Sequence, residues 1–206
     1  ALSKLSGNYS AIWTDLNNDH HNDLYISKCK INAQPGDPVR TNLLYIQKPN
    51  HNFIEAGSVM GLDDNAQTWT TVFEDFNNDG WDDIYVGNDF HENDYYYLNK
   101  GDGTFAESGA DHFKHYSRFS MGNDAADYNN DGQLDLITVD MLPQDEKVLK
   151  TYGSDENPDT YKYKLMGHGY QNQYSKNALQ RNNGNGSSFS ETALQSGVAA
   201  TDWSWA

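Results

Sequence analysis

The feature that most restricts the possible folds is an acidic phrase that occurs three times with the same internal spacing. It reads DLNNDHHND from Asp15, DFNNDGWDD from Asp75 and DYNNDGQLD from Asp127, so the common pattern is D-x-N-x-D-x-x-x-D. Strand-forming residues continue each copy, as in DIYVGN after the second. Self-similarity of this kind indicates a repeat architecture, in which each copy belongs to one supersecondary unit.

A second phrase follows each acidic phrase and has the signals of a β-hairpin. A short apolar segment leads to a turn rich in Asn, Gly and Asp, and then Phe53, Phe105 or Phe189 begins the next strand. Because strands also flank the acidic phrase, one unit contains about four strands, which is the content of a propeller blade. The sequence therefore predicts an all-β fold made of β-propeller blades with about four antiparallel strands each.

The units span approximately residues 9–62, 69–110 and 121–198. A further unit is expected to begin at residues 199–206, because ATDWSWA resembles QTWTTVFED and matches Trp205 with Trp69. A closed ring needs at least four blades. We therefore expect residues 1–206 to form a partial β-propeller whose open edges are covered by the rest of a larger chain or by a complex.

An insertion from Met141 to about Ser175 interrupts the third unit and is expected to be largely helical or irregular. Pro143 before QDEKVLK predicts one short helix, and Asn157-Pro158 before DTYKYKLM predicts a second. The insertion could be a binding loop that displays its ring side chains, or a lid that packs them on the blades. Burial of large aromatic side chains favours the lid. These residues are Tyr161, Tyr163, His168, Tyr170 and Tyr174.

The charge of the chain excludes two classes of partner. It has 14 Lys and Arg residues against 30 Asp and Glu residues, with a formal net charge of −16, and therefore repels nucleic acids and anionic membranes. No apolar run approaches the roughly 18 residues of a membrane-spanning helix. Ala1 begins no signal peptide, so we expect any export signal outside this chain. The single cysteine, Cys29, is expected to be a small buried residue.

The acidic phrases have the composition of calcium sites, because calcium takes six to eight oxygen ligands. Side chains at positions one, three, five and nine of a tight loop, with the backbone carbonyl of position seven, can surround one ion. The first set of candidate ligands is Asp15, Asn17, Asp19, the His21 carbonyl and Asp23. The second is Asp75, Asn77, Asp79, the Trp81 carbonyl and Asp83. The third is Asp127, Asn129, Asp131, the Gln133 carbonyl and Asp135.

The sixth position of each loop must turn sharply, which favours a positive φ. Gly80 and Gly132 suit this position, whereas His20 in the first loop adopts such a conformation at a cost. The first site is therefore the weakest of the three candidates.

Other interpretations of the phrases are weaker. An EF-hand needs a bidentate glutamate at position twelve between two helices, but position twelve is Ile26, Val86 or Thr138 inside a strand. Metal-free Asx-turns also use Asp and Asn, yet three carboxylates in nine residues repel one another without a counter-ion. Magnesium rarely uses an all-protein cage. The repetition thus favours about three Ca²⁺ ions in a structural role, on which folding depends.

These residues resemble a known family. DFNNDGWDDIYVGND with NKGDGTFAESG is similar to the FG-GAP/VCBS repeat, which also occurs in the propellers of integrin α-subunits. VDMLPQDEK, GYQNQYSKNALQRNNG and TDWSWA resemble large secreted VCBS-repeat proteins of bacterial envelopes, which often carry an ASPIC/UnbV domain not found in these residues. The resemblance implies a calcium-stabilised propeller, seven-bladed when complete, at the cell surface or outside the cell, with roles in adhesion, scaffolding or glycan handling.

Two functions remain open at this point. The favoured one is a non-catalytic binding or scaffold module of an exported bacterial surface protein, with a protein or glycan as its partner. The alternative is a polysaccharide lyase or hydrolase, which would need an acid/base pair in a cleft. Scarce Lys and Arg residues disfavour a lyase that neutralises uronates.

Two short stretches could carry catalytic or zinc chemistry, but both are better explained as polar or exposed loops. NDFHENDY contains Asp89, His91, Glu92 and Asp94, and DHFKHY contains His112 and His115. No nucleophile elbow, phosphate-binding loop or zinc-protease motif is present.

Overall fold

The computed structural model describes residues 6–34, 36–62, 64–89, 92–151, 159, 162–163, 167 and 172–204. Three four-stranded antiparallel sheets follow one another along the chain. The first contains β1 (Asn8–Thr14), β2 (Asp23–Lys28), β3 (Leu43–Gln47) and β4 (Phe53–Glu55). The second contains β5 (Thr68–Glu74), β6 (Asp83–Asn88), β7 (Tyr95–Asn99) and β8 (Phe105–Glu107).

A short strand, β9 (Tyr116–Ser117), precedes the third sheet. The third sheet contains β10 (Gly122–Ala126), β11 (Asp135–Val139), β13 (Ala178–Asn182) and β14 (Phe189–Glu191). The remaining strand, β12 (Gln173–Tyr174), pairs in parallel with β9. Short helices also occur, namely α1 (Gly57–Met60), α2 (Gly109–His112), α3 (Glu146–Thr151) and α4 (Ala193–Ser196).

Within each sheet, every strand pairs with the strand that precedes it in that sheet. Phe53, Phe105 and Phe189 begin the fourth strands, as the hairpin signals predict. The first strands lie closest to the neighbouring sheets, because β5 packs against β1, β2 and β10. The prediction of an all-β fold with four-stranded antiparallel blades is therefore confirmed.

The core lies between successive sheets. All residues of β2 and β6 are buried, because each second strand is flanked on both sides by strands of its own sheet and packs against a neighbouring sheet. Aromatic side chains dominate the layer between the second and third sheets, where the rings of Phe113 and Phe189 stack with centroids 4.4 Å apart. The repeats are thus held together by apolar layers between blades.

The exposed fraction of the second residue in each acidic loop shows which sheets are covered by a following sheet. Leu16 is 2% exposed and belongs to the layer between the first and second sheets, and Phe76 is 1% exposed between the second and third. Tyr128 has the same position in the third loop but is 44% exposed. The outer face of the third sheet therefore lacks, within the described residues, the covering that the other two have.

One side chain before the third strand of each sheet ties that sheet to the next segment. In the second sheet this is Asp94, which accepts hydrogen bonds from the Asn88 N–H (2.8 Å), the Tyr85 hydroxyl (2.6 Å) and the Ser120 hydroxyl (2.6 Å). Ser120 leads into the third sheet. The other two sheets have asparagine here, and Asn42 donates to Thr68 while Asn177 donates to Thr201.

Asp94→Asn is expected to remove a pH dependence of stability. Burial raises the pKa of Asp94 to about 7. A folded-state pKa above the unfolded value stabilises the fold fully below about pH 4, and this stability is lost as the pH rises through about 7. About two pH units separate pH 5 from the folded-state pKa, so at about 1.4 kcal/mol per unit the change between pH 5 and pH 8 is about 3 kcal/mol. Denaturant unfolding from pH 5 to pH 8 measures it.

The quantity compared is the difference in unfolding free energy between variant and wild type, because both proteins contain other buried carboxylates with raised pKa values, such as Asp83. Asp111→Asn, which makes the same charge change at an exposed residue, is the control. An Asp94→Asn difference that is equal at pH 5 and pH 8 would contradict the expectation.

The insertion departs in part from its prediction. The helix expected after Pro143 is α3, and most of the second expected helix lies outside the described residues, together with Tyr161, His168 and Tyr170. Tyr163 is 69% exposed and Tyr174 is 40% exposed. Tyr163 therefore does not pack on the blades as a lid residue would, whereas the Tyr174 ring contacts the His115 ring, with centroids 5.2 Å apart.

Three other expectations concern the burial of Cys29, the match of Trp205 to Trp69 and membrane-spanning helices. Cys29 is a free thiol of intermediate exposure at the end of β2, and so is less buried than expected. The expected match of Trp205 to Trp69 falls outside the described residues. In the described part of the chain, no helix has the length and apolar character that crossing a bilayer requires.

Candidate metal centres

The three acidic loops occupy equivalent places in the fold. Each connects the first strand of a sheet to the second, and its ninth residue is the first residue of that second strand. These ninth residues are Asp23 in β2, Asp83 in β6 and Asp135 in β11. The loops therefore lie at the same end of the three sheets.

The side chains of each loop converge on the loop's own amides. In the second loop, Asp75 accepts hydrogen bonds from the N–H groups of Asp79 (3.0 Å) and Gly80 (2.8 Å). Asn77 accepts from the same Asp79 N–H (2.9 Å), and Asp79 accepts from the Trp81 N–H (2.9 Å). The corresponding bonds of the first and third loops measure 2.8–3.1 Å. The side chains of positions one, three and five are thus brought together in all three loops.

The predicted positive φ at position six is present in every loop. Gly80 has φ 89° and Gly132 has φ 84°, and His20 adopts φ 67° despite its side chain. Position four also has a positive φ in each loop, which the sequence analysis missed, and asparagine there tolerates this conformation. These residues are Asn18, Asn78 and Asn130.

The ninth residue differs from the others because its carboxylate is buried. Asp83 is fully buried and accepts hydrogen bonds from the Asn99 N–H (2.9 Å) and the Tyr96 hydroxyl (3.2 Å). Burial, with Asp79 and Asp75 nearby, raises the pKa of Asp83 to about 7. Burial also raises the pKa values of Asp23 and Asp135. Each site therefore contains a desolvated carboxylate that a cation would stabilise.

The oxygen donors of the loops fit a hard cation in two respects. Among the described residues, no Lys or Arg forms an ion pair with a loop carboxylate, and Oδ2 of Asp135 is a buried atom without a hydrogen-bond partner. The described residues contain, however, no group of three or more His, Cys, Asp or Glu side chains arranged to hold a metal. Positions one and five instead bind loop amides, and position nine binds the third strand.

Successive loops are linked by asparagine side chains that sequence reasoning did not identify. Asn18 donates to the Gly80 carbonyl (3.1 Å), and Asn78 donates to the Gln133 side chain (3.1 Å). At the end of β7, Asn99 donates to the carbonyl of Leu16 in the preceding loop (3.3 Å). Its counterpart Asn182 does the same with Phe76 (2.9 Å). The signals in the sequence are the asparagine that recurs at position four of each loop and the asparagine that ends β7 and β13.

The carboxylates of NDFHENDY have structural partners. Glu92 forms an ion pair with the buried Arg40 and also accepts a hydrogen bond from the Gln67 N–H (2.6 Å). Asp94 has the three partners described above, Asp89 is buried, and His91 lies outside the described residues. Glu92 thus joins the connections of the first two sheets, and Asp94 joins the second sheet to the segment that leads into the third.

The two histidines of DHFKHY face different partners. His112 Nδ1 lies 2.6 Å from the Gly186 carbonyl oxygen, whereas His115 Nε2 lies 3.2 Å from Glu191 Oε2. The segment is not the exposed loop that the sequence favoured, because Phe113 and Tyr116 between and beside the histidines are buried in the core. The structure thus does not bring the two imidazoles onto one centre.

Comparison with known proteins agrees with the repeat seen in the structure. The FG-GAP-like repeat family matches residues 15–86 and 75–138, which together span more than half of the chain. Each matched segment begins at the first residue of an acidic loop, Asp15 or Asp75, and runs beyond the next loop. No curated protein matches the chain. The chain therefore belongs to the FG-GAP-like repeat family.

Proposed function

We propose that the three acidic loops bind calcium and that the bound ions stabilise the blades. The observation that carries this proposal is the threefold repetition of one arrangement, in which oxygen donors surround a turn above a buried ninth-position carboxylate. The ligands would be the side chains of positions one, three, five and nine, with the carbonyl of position seven. Calcium would supply the positive charge that balances these carboxylates.

The chain serves, in this proposal, as a non-catalytic binding or scaffold module of an exported bacterial surface protein. A rigid face of blades suits a protein or glycan partner, and the rest of a larger chain or a complex would cover the open side of the third sheet. Glu92 and Asp94, which could have served an enzyme, are engaged in bonds between sheets. This engagement supports binding over the alternative of a polysaccharide lyase or hydrolase.

Isothermal titration of the chelator-treated protein with calcium tests the metal proposal. We expect about three ions per chain and a loss of about one ion in Asp79→Ala or Asp131→Ala. Asp111→Asn, with a similar charge change at an exposed residue, should keep all three. Terbium offers a second readout, because the Trp81 indole beside the second loop should sensitise its emission and Trp81→Phe should weaken that emission. No binding heat and no emission would overturn the proposal.

A screen of soluble polysaccharides with product detection tests the non-catalytic role separately. We expect no new reducing ends and no unsaturated uronate products in the presence of calcium. Turnover of any polysaccharide by the purified protein would replace the binding role with the enzymatic alternative, whether or not the loops bind calcium.

A further inference from the structure

A cleft beside the third sheet brings together charged side chains from segments that are far apart in the chain. It is a shallow cleft that is open to solvent, with a volume of about 450 Å³. The titratable residues are His115 before β9, Lys176 after β12 and Glu191 at the end of β14. The apolar walls include Leu142, Tyr174 and Leu194. We call this site the Lys176 cleft.

The charged cluster is an addition to the repeat. Oε1 of Glu191 accepts the Ala193 N–H (2.7 Å), as Glu55 accepts the Gly57 N–H (2.9 Å) in the first sheet. Among the residues that the structure describes, only in the third sheet does the other oxygen also meet a lysine ammonium and an imidazole. Glu191 Oε2 lies 2.8 Å from Lys176 Nζ and 3.2 Å from His115 Nε2. The turn needs only the first of these interactions, so the cluster has no role in the repeat architecture itself.

The cluster carries no net charge near neutral pH. Burial and the neighbouring Lys176 lower the pKa of His115, so its imidazole is neutral. Although burial acts in the opposite direction, the hydrogen bond from Lys176 lowers the pKa of Glu191, which is therefore ionised and balances the lysine. An anionic ligand would meet no local positive excess and a chain with a charge of −16. The cleft consequently suits an uncharged ligand.

The walls of the cleft combine an exposed ring with hydrogen-bonding groups. Tyr174 is 40% exposed and Leu194 is 73% exposed, so both offer apolar surface. Lys176 has three N–H donors, of which two are directed to Glu191 and to the Asn177 carbonyl (3.2 Å). With Nε2 of His115 facing Glu191, its other ring nitrogen can accept a hydrogen bond. A neutral ligand with an apolar face and several hydroxyl groups satisfies all of these features.

We propose that the Lys176 cleft binds one pyranose ring of an uncharged glycan. The C–H face of the sugar lies on Tyr174, and its hydroxyl groups bond to Lys176 and His115. This assignment rests on the proposed binding function and names the chemistry of its ligand. The two-stranded pair holds the site in place, because Arg118 N–H donates to the Tyr174 carbonyl (3.1 Å).

Saturation-transfer NMR with calcium-saturated protein tests the assignment. The probes are neutral methyl pyranosides of glucose, galactose, mannose and N-acetylglucosamine, with methyl glucuronide as the charged comparison. We expect transfer to at least one neutral probe and about tenfold weaker binding in Tyr174→Ala. Tyr163→Ala removes a more exposed ring of the same insertion and should bind like wild type. Leu194→Asp, at a side chain that is 73% exposed, should also weaken binding.

Absence of transfer to every neutral probe would overturn the assignment, as would unchanged binding in both Tyr174→Ala and Leu194→Asp. Tighter binding of the glucuronide than of the glucoside would overturn the neutral-ligand assignment. Other experiments detect the failure of the proposed calcium-binding and non-catalytic roles. Missing calcium heats would refute the metal proposal and polysaccharide turnover would refute the non-catalytic role, while the NMR result still decides the cleft.

Discussion

Removal of calcium by a chelator is expected to lower the melting temperature of the protein by roughly 15–30 °C. A site held at about 100 times its dissociation constant stabilises the fold by about 2.7 kcal/mol, so three sites contribute about 8 kcal/mol. A domain of this size changes its melting temperature by about 2–4 °C per kcal/mol. The effect is large because each loop carries several carboxylates, of which Asp23, Asp83 and Asp135 are buried. Calorimetric scans with and without chelator measure it.

Single-site variants show whether this change comes from the loops. Asp79→Ala and Asp131→Ala should each remove about one third of the chelator-dependent change, because each disables one loop. Asp111→Asn should retain the full change. Excess magnesium should not restore the melting temperature, since magnesium rarely accepts an all-protein cage. A melting temperature that is equal in calcium and in chelator would contradict the metal assignment for all three loops.

Phe76→Ala is expected to cost about 3–5 kcal/mol of unfolding free energy, because it empties a packed position between the second and third sheets. The ring is 1% exposed, and its centroid lies 5.9 Å from that of Tyr96 and 6.0 Å from that of Phe189. The Phe76 carbonyl, which accepts from Asn182, is unchanged by the substitution. Denaturant unfolding in calcium gives the difference.

The repeat supplies the matched control. Tyr128 occupies the same loop position but is 44% exposed, so Tyr128→Ala should change the free energy by less than about 1 kcal/mol. Equal costs for the two substitutions would show that position two of the loop matters for the loop itself and not for packing between sheets.

The strands and turns could be predicted from the sequence because their signals are local. Phe53, Phe105 and Phe189 follow turn residues and begin strands, and Gly80 and Gly132 have the positive φ that a sharp turn requires. Each signal lies within a few residues of the element that it determines. Repetition added certainty, because the same local pattern recurred three times.

Contacts between sheets could not be predicted, because they join residues that are distant in the chain. Asn99 and Leu16 are in different blades, and neither residue differs in type from ordinary strand or loop residues. The sequence shows that Asp94 stands where the other two sheets have asparagine. It does not show that Asp94 is buried. A single sequence provides no means of pairing such residues.

The Lys176 cleft could not be predicted from the sequence either, because its residues are also distant from one another in the chain. His115, Lys176 and Glu191 come from a connection between sheets, the end of the insertion and a fourth strand. The sequence offers His115 only as a weak zinc candidate, because nothing near it in the chain points to its partner Glu191. The sequence shows that the insertion interrupts the third unit. It does not show on which side of the sheet the insertion returns.

The fourth strands β4, β8 and β14 have only three residues each. They form the outer edge of their sheets, where unpaired backbone groups would otherwise offer a template to strands of another molecule. So short an edge leaves few groups for such pairing. Neighbouring copies can therefore be crowded together at high local density without fusing rim to rim into fibrous aggregates.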